Sequence, residues 1–406
     1  MIRGTSRPGA QRRLTTALAI TAAGVLGLSA CAPGSGSDAA GSDSGTVPVS
    51  IIYSQTGPLA AYGEAYRNGL EAGLDYATDG TGEVDGTTIE LNYSDDAGDA
   101  AKAVGLAKDA IGSGSKIIAG TVSSGVALSL AEQAEQNKVL YIAGPAAADA
   151  ITGINHYTFR SGRQTYQDVA TAGSFLGDPQ GQDIVVFAQD NAFGQGNVAA
   201  VEAVLGGEGA NVDSVLVPED ATEFTPFARR ILDAEPDLVF VAWAGDTTSA
   251  MWQSLSQQQV FDKVPVTTGL GDIASFGAYG SATEKITFLS HYFGAAPDNE
   301  VNQAMVDYLD SSGEKADLFS PDGFVAGQMI AHAISEGGGD DVDAMVDALE
   351  GWEFEGPKGT TTVRAEDHAL LQPMFEAKLT DQGGSPEPEL VETIDAETVA
   401  PPVTTP

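Results

Sequence analysis

The sequence predicts an α/β protein of two lobes, each a parallel sheet flanked by helices. Three observations predict it. Short apolar strands alternate with helical patterns along nearly the whole chain, and the connections between strands are too long for hairpins, as crossover helices require. The stretch between the two polar ends is about 335 residues, too long for one core and enough for two. Strand after strand ends in a loop of small and hydroxyl residues before a helix starts, the layout that brings helix amino termini to one sheet edge.

The first unit sets the pattern. A strand over 47–53 breaks at Ser54-Gln55-Thr56-Gly57-Pro58-Leu59 and restarts as a helix to Ala77. Tyr66, Leu70 and Leu74 recur at four-residue spacing, and Gly69 and Gly73 beside them would let that helix lie close against a sheet. Strands over 88–93 and 116–119 follow, with helices over 99–111 and 126–136, and a strand over 139–143 ends in Gly144-Pro145-Ala146-Ala147-Ala148-Asp149. After an extended piece at 157–160 and a helix over 166–176 the chain is expected to cross to a second set of strands: 183–188, 212–217, 238–242 and 264–268, with helices over 194–205, 224–234 and 247–257 between them. A strand over 286–292 reads as a second crossing. Helices over 299–309, 323–335 and 341–349 would return to the first lobe, and short β segments at 352–364 and 373–379 would finish the second. The expected division is 47–160 with 290–350 for one lobe and 161–289 with 351–380 for the other; crossings of this kind suggest a hinge.

The ends carry a different message. Residues 1–30 contain four arginines (Arg3, Arg7, Arg12, Arg13), no acid and an apolar run over 14–28, the composition of an export signal too short to span a membrane. Arg12-Arg13 is a weak twin-arginine signal. Leu28-Ser29-Ala30-Cys31 resembles a lipobox, which would leave Cys31, the only cysteine, as an acylated first residue. Residues 31–46 read as a flexible tether, and 381–406, rich in proline and acids, as a disordered tail. An exported body lipid-anchored at the outer face of the membrane follows. The chain has 57 acidic and 19 basic residues and a formal net charge of −38, which repels phosphate backbones and argues against nucleic acid as a partner. A strongly solvated surface accounts for the acids.

Catalytic signatures are missing. There is no nucleophile elbow, Walker loop, zinc-protease helix or Cys pair, and His156, His291, His332 and His368 stand apart as structural histidines. Asp95-Asp96 is better placed to cap the next helix than to perform acid–base chemistry. What remains is a set of loops on one edge: 56–63, 121–125 and 144–149. Ser123 and Ser124 stand where a helix begins, able to cap it or to bind an anionic head group with the helix dipole.

Ser54-x-Thr56-Gly57-Pro58-Leu59-Ala60-x-Tyr62-Gly63, Gly120-x-x-Ser123-Ser124, Gly144-Pro145-Ala146-Ala147 and Asp190-x-x-Phe193-Gly194-x-Gly196, in that order, resemble the periplasmic solute-binding proteins of branched-chain amino acid ABC transporters. The resemblance covers residues 47 to about 380. It implies a type I periplasmic-binding fold of two α/β lobes joined by three hinge crossings and closing on a ligand, with no catalysis and no cofactor. It also implies ABC permease subunits as partners and a monomeric receptor. Carried over, Tyr62 walls the side-chain pocket, Ser123 or Ser124 binds the ligand carboxylate, and the Ala146 carbonyl takes the ammonium. Ala147 lies in the same loop; Ala148 stands where the family has a hydroxyl residue, leaving only its backbone N–H. Phe193 and Trp243 are aromatic contacts of the second lobe, and Asp272 is the candidate acid for the ammonium. The implied ligand is an apolar amino acid, with an amide, urea or an aromatic acid, or a sensing role, as alternatives.

Overall fold

The computed structural model describes residues 45–381 and 386–404. The leader, Cys31 and most of the tether lie outside them. Among the described residues no helix is long and apolar enough to cross a membrane.

The first part of the chain runs β1 (Thr46–Tyr53), α1 (Ala60–Ala77), β2 (Glu83–Val84), β3 (Thr87–Asp95), α2 (Ala100–Gly112), β4 (Ile117–Gly120), α3 (Ser124–Asn137), β5 (Leu140–Ala143) and β6 (Thr158–Arg160). These strands form one sheet in the order β2-β3-β1-β4-β5-β6, parallel except for the short β2 edge. Alternate residues face opposite sides, as the two-residue period of a strand demands. Val49, Ile51, Ile117, Ala119, Leu140 and Ile142 enter one buried cluster; Ile52, Ile118, Tyr141 and Ala143 enter another with α2 and α3. Burial on both faces is why these strands read as continuous apolar runs.

A second sheet follows from α4 (Thr165–Leu176), β7 (Asp183–Gln189), α5 (Ala192–Val201), β8 (Asn211–Val217), α6 (Thr225–Asp233), β9 (Leu238–Ala242), α7 (Thr248–Gln257), β10 (Val266–Gly269) and β11 (Ile286–Ser290). The chain then adds α8 (Glu300–Ser312), α9 (Ser320–Gly337), α10 (Val342–Leu349), β12 (Glu353–Gly356), β13 (Gly359–Val363), β14 (Leu370–Leu371), β15 (Met374–Asp381) and β16 (Pro386–Ile394). The second sheet has the order β16-β15-β11-β10-β9-β7-β8, with β15 and β16 antiparallel. The chain passes between the sheets at 161–164, 291–299 and 372–373.

Three expectations are corrected. The segment 351–371 does not complete the second lobe: Val363 and Leu370 are buried in the same cluster as Val49 and Met329, and Trp352 stacks on His332 of α9 at 3.9 Å. The apolar side of β13 thus faces the first lobe's core. The tail is not disordered over its described residues. Strand β16 extends the second sheet, Val399 is fully buried, and Arg364 donates to Pro401 O at 2.7 Å and Pro402 O at 3.3 Å. Asp367 accepts from Thr404 N at 2.9 Å. Backbone pairing and one half-buried arginine, Arg364, supply the order that the composition argued against. Lastly, Gly69 and Gly73 of α1 face a helix and not the sheet. A Cβ at Gly69 or Gly73 would fall on the carbonyl oxygens of Ser320 and Phe324, and one at Gly323 would fall on that of Tyr66. Glycines at four-residue spacing on both α1 and α9 therefore set how closely the two helices cross.

Gly73→Ala is expected to cost about 1–3 kcal/mol in urea unfolding, because backbone and not a flexible side chain must move. Arg364→Ala leaves the Asp367 carboxylate, whose side chain is fully buried, without its cation and is expected to cost about 3 kcal/mol at neutral pH. Burial raises the Asp367 carboxyl, but hydrogen bonds from Arg364 and Thr404 outweigh it and hold the carboxyl below its ordinary range. The contribution is therefore present above that range and lost as pH falls through it, so the deficit of the variant should shrink in acid.

Candidate functional site

A cleft of about 490 Å³ lies between the carboxyl ends of the two sheets. The first lobe lines it with Pro58, Leu59 and Tyr62, with Ala97 and Gly98, with Val122 to Val126, and with Pro145 and Ala147. The second lobe supplies Gln189, Asn191, Phe193, Trp243 and the turn Leu270-Gly271. Each loop arrives by the same route, a buried strand ending at one edge before a helix begins, so residues far apart in sequence converge.

The first three loops are tied together by the Asp95-Asp96 pair. Asp95 accepts from Gln55 N and Thr56 N, both at 3.0 Å, from Thr56 Oγ1 at 2.7 Å and from Lys102 Nζ at 3.1 Å. Burial opposes its ionisation, yet the bonds from Thr56 and Lys102 hold its carboxyl well below the usual range. Asp96 is fully buried and accepts from Ser54 Oγ at 2.8 Å and from Thr121 Oγ1. Neither caps α2, the role expected of the pair. Asp99 does so, accepting from Lys102 N at 2.9 Å.

Ser123 and Ser124 both line the cleft but differ in burial and in partners. Ser123 is the residue preceding α3, makes no capping hydrogen bond and lines the cleft beside the first-turn N–H groups. Ser124 is buried and its Oγ accepts from Ala148 N at 3.2 Å. The Ala148 N–H expected to serve a ligand is thereby engaged. Ala146 and Ala148 do not line the cleft, because the buried Arg160 draws both carbonyls inward, donating to Ala146 O at 2.6 Å and Ala148 O at 3.1 Å. A carbonyl already facing a guanidinium is a poor acceptor for an ammonium. Ala147 does line the cleft, with its carbonyl accepting from Thr165 N at 2.8 Å.

Tyr62, Phe193 and Trp243 all line the cleft. Tyr62 is buried and meets Phe319 edge-on at 5.0 Å; Trp243 leans on Phe187 and Phe224, each at 5.3 Å, and donates to Thr247 Oγ1 at 3.0 Å. Phe193 is half-buried at the start of α5. Asp272 stands outside the lining residues. It caps the next turn, accepting from Ser275 N at 2.8 Å, and its charge adds to burial in raising the Tyr62 phenol.

Sequence reasoning missed Arg163, Asp168, His291 and Phe319, all of which line the cleft. Phe319 stacks on His291 at 5.1 Å and lies under the Arg163 guanidinium at 5.6 Å. Burial, with Arg163 and Lys358 nearby, pushes the His291 imidazole well below its ordinary range, so it is neutral. Arg163 and His291 sit in two of the crossings. A basic residue in a predicted hinge of a chain this poor in bases was the one signal available.

The family model for periplasmic binding proteins matches residues 46–384. A Leu/Ile/Val-binding protein of Rhizobium johnstonii is 25% identical over 311 residues, covering 75% of this chain and 83% of its own length. A homologue of the same description from Brucella melitensis is 25% identical over 347 residues, covering 83% and 92%. Among solved structures, an ABC-type branched-chain amino acid transporter protein of Rhodopseudomonas palustris superposes with a TM-score of 0.75 at 32% identity, covering 89% of this chain and all of that one. A solute-binding protein from the same species, solved with 4-hydroxybenzoate, shares the fold at a TM-score of 0.79 and 22% identity, covering 86% and 97%. The chain belongs to the periplasmic binding protein family, the solute-binding proteins of ABC transporters.

Ser123→Ala is expected to weaken solute binding, measured by calorimetry, with little change in melting temperature. Ser124→Ala is expected to lower stability by about 1 kcal/mol through the orphaned Ala148 N–H.

Proposed function

We propose that the protein is the extracytoplasmic receptor of an ABC importer, held at the outer face of the membrane by a lipid on Cys31. It captures one small solute with an acid group and an apolar body, closes around it and presents the closed form to a permease. The observation that carries this reading is the cleft itself: a polar end formed by Ser123 and the first turn of α3, and aromatic walls contributed by both lobes. A solute that touches both lobes stabilises the closed form over the open one, which is all that capture and signalling to a partner require. The relatives named for leucine, isoleucine and valine support an amino acid; the neighbour solved with 4-hydroxybenzoate supports an aromatic acid.

The polar end favours an acid because helix N–H groups and the dipole both answer negative charge. Each methylene buried against Tyr62, Phe193, Trp243 and Phe319 adds about 0.8 kcal/mol, so the apolar body should dominate affinity within one class of acid. The lips of the cleft already touch, with Asp317 accepting from Ile273 N at 3.2 Å across the lobes.

A thermal-shift screen against apolar amino acids, aromatic acids, amides and urea, followed by calorimetry, tests the reading. A solute at a hundred times its dissociation constant should stabilise the fold by about 2.7 kcal/mol. Binding should also reduce the radius of gyration in solution scattering. Silence from every solute in the screen would count against a receptor for this chemistry.

A further inference from the structure

The cleft contains a cation whose hydrogen-bonding capacity the chain leaves unused. Arg163, 6% exposed, sits in the first crossing with its side chain on the cleft wall. Its Nε meets Asp168 at 3.3 Å to Oδ1 and 3.2 Å to Oδ2, and its Nη1 donates to Pro145 O at 2.9 Å. Nη2 has no hydrogen-bond partner among the described residues. Beside it His291 Nε2, also buried, has none. A guanidinium oriented by an acid and a carbonyl, with the Phe319 ring beneath it, presents its remaining fork edge in a fixed direction.

Neither the carbonyls of the loop after β5 nor the acids lining the cleft stand free for an ammonium. Four consecutive carbonyls of the loop after β5 are taken: Pro145 O by Arg163, Ala146 O and Ala148 O by Arg160, and Ala147 O by Thr165. Of the two acids lining the cleft, Asp168 already answers Arg163 and lies in the field of the buried Lys358. Glu219 is exposed and accepts from Asn191 Nδ2 at 2.7 Å. An ammonium placed there would be a third cation beside Arg163 and Lys358, whose charges Asp168 and the buried Asp322 already answer.

Resting on the receptor reading above, we propose that Arg163 selects the charge of the solute. The cleft takes a monoanionic acid with an apolar or aromatic body and no ammonium group, and Arg163 Nη2 binds one of its acid oxygens.

Matched pairs test this by calorimetry on the purified protein: 3-phenylpropanoate against phenylalanine, and 4-methylpentanoate against leucine, with 3-phenylpropanamide as the neutral shape control. The acids are expected to bind at least about tenfold more tightly than their amino acids, the scale of one charged hydrogen bond. Arg163→Gln alone would strand Asp168, so Arg163→Gln with Asp168→Asn removes both charges together. That pair should lose about 10- to 100-fold in acid affinity. Its affinity for the amide should stay near the wild-type value. Arg163→Lys, which keeps the charge without the fork, should fall between.

Amino acids that match or exceed their deaminated partners would overturn the proposal, as would an acid affinity indifferent to the double substitution. Binding of the amide alone would overturn it while leaving the receptor reading standing, and silence from all five solutes would overturn both. Should the double variant fail to fold, the ratio of acid to amide affinity in Arg163→Lys decides: an unchanged ratio overturns the assignment, a reduced one supports it.

Discussion

The cleft depends on one buried guanidinium. Arg160, 1% exposed at the end of β6, donates to Ala146 O, Ala148 O and Arg163 O and reaches Thr152 Oγ1 at 3.4 Å. A cation taken out of water is costly unless hydrogen bonds and opposite charge answer it. Here three carbonyls do so, with Asp149 in its field, while burial still draws its pKa down to about 10. In return Arg160 sets the course of the loop after β5 and of the first crossing together. The wall of the cleft and the hinge are consequently one rigid object, and Arg163, three residues on, inherits its position from that object.

The first crossing has a second anchor. Asp149 accepts from Gln164 Nε2 and Thr165 Oγ1, each at 2.7 Å, and from Tyr166 N at 3.0 Å, fastening the crossing to α4. The final residues add a tie of their own. Strand β16 belongs to the second sheet, yet the segment after it returns to Arg364 and Asp367, whose neighbours Val363 and Leu370 belong to the first lobe's core. Motion between the lobes must therefore be accommodated by three crossings and a terminal strap, and a solute that bridges the cleft has only to bias an equilibrium these ties already narrow.

Most of the fold was legible along the chain. Strands such as Ile117–Gly120 and Leu140–Ala143 declare themselves by apolar runs between turn residues, and a buried helix such as α9 by an apolar surface nearly all round. These signals are local, because side-chain period and turn chemistry act over a few residues. The loops of the cleft were legible for the same reason, and Tyr62, Ser123, Ser124, Ala147, Phe193 and Trp243 are the singled-out residues that reach it.

What the sequence by itself determined is the alternation of elements, the edge at which loops gather and the aromatic character of the walls. What only the tertiary structure decided is which polar groups stay free. The carbonyls of Ala146 and Ala148, the Ala148 N–H and Asp272 looked available until Arg160, Ser124 and the next turn engaged them, whereas Arg163 keeps an unused donor in the cleft. A hydrogen bond is claimed by whichever partner the folded chain brings within about 3 Å, and partners 10 or 200 residues apart in sequence compete on equal terms. The same non-local pairing turned the proline-rich tail into an edge strand and carried the segment 353–371 to the other lobe.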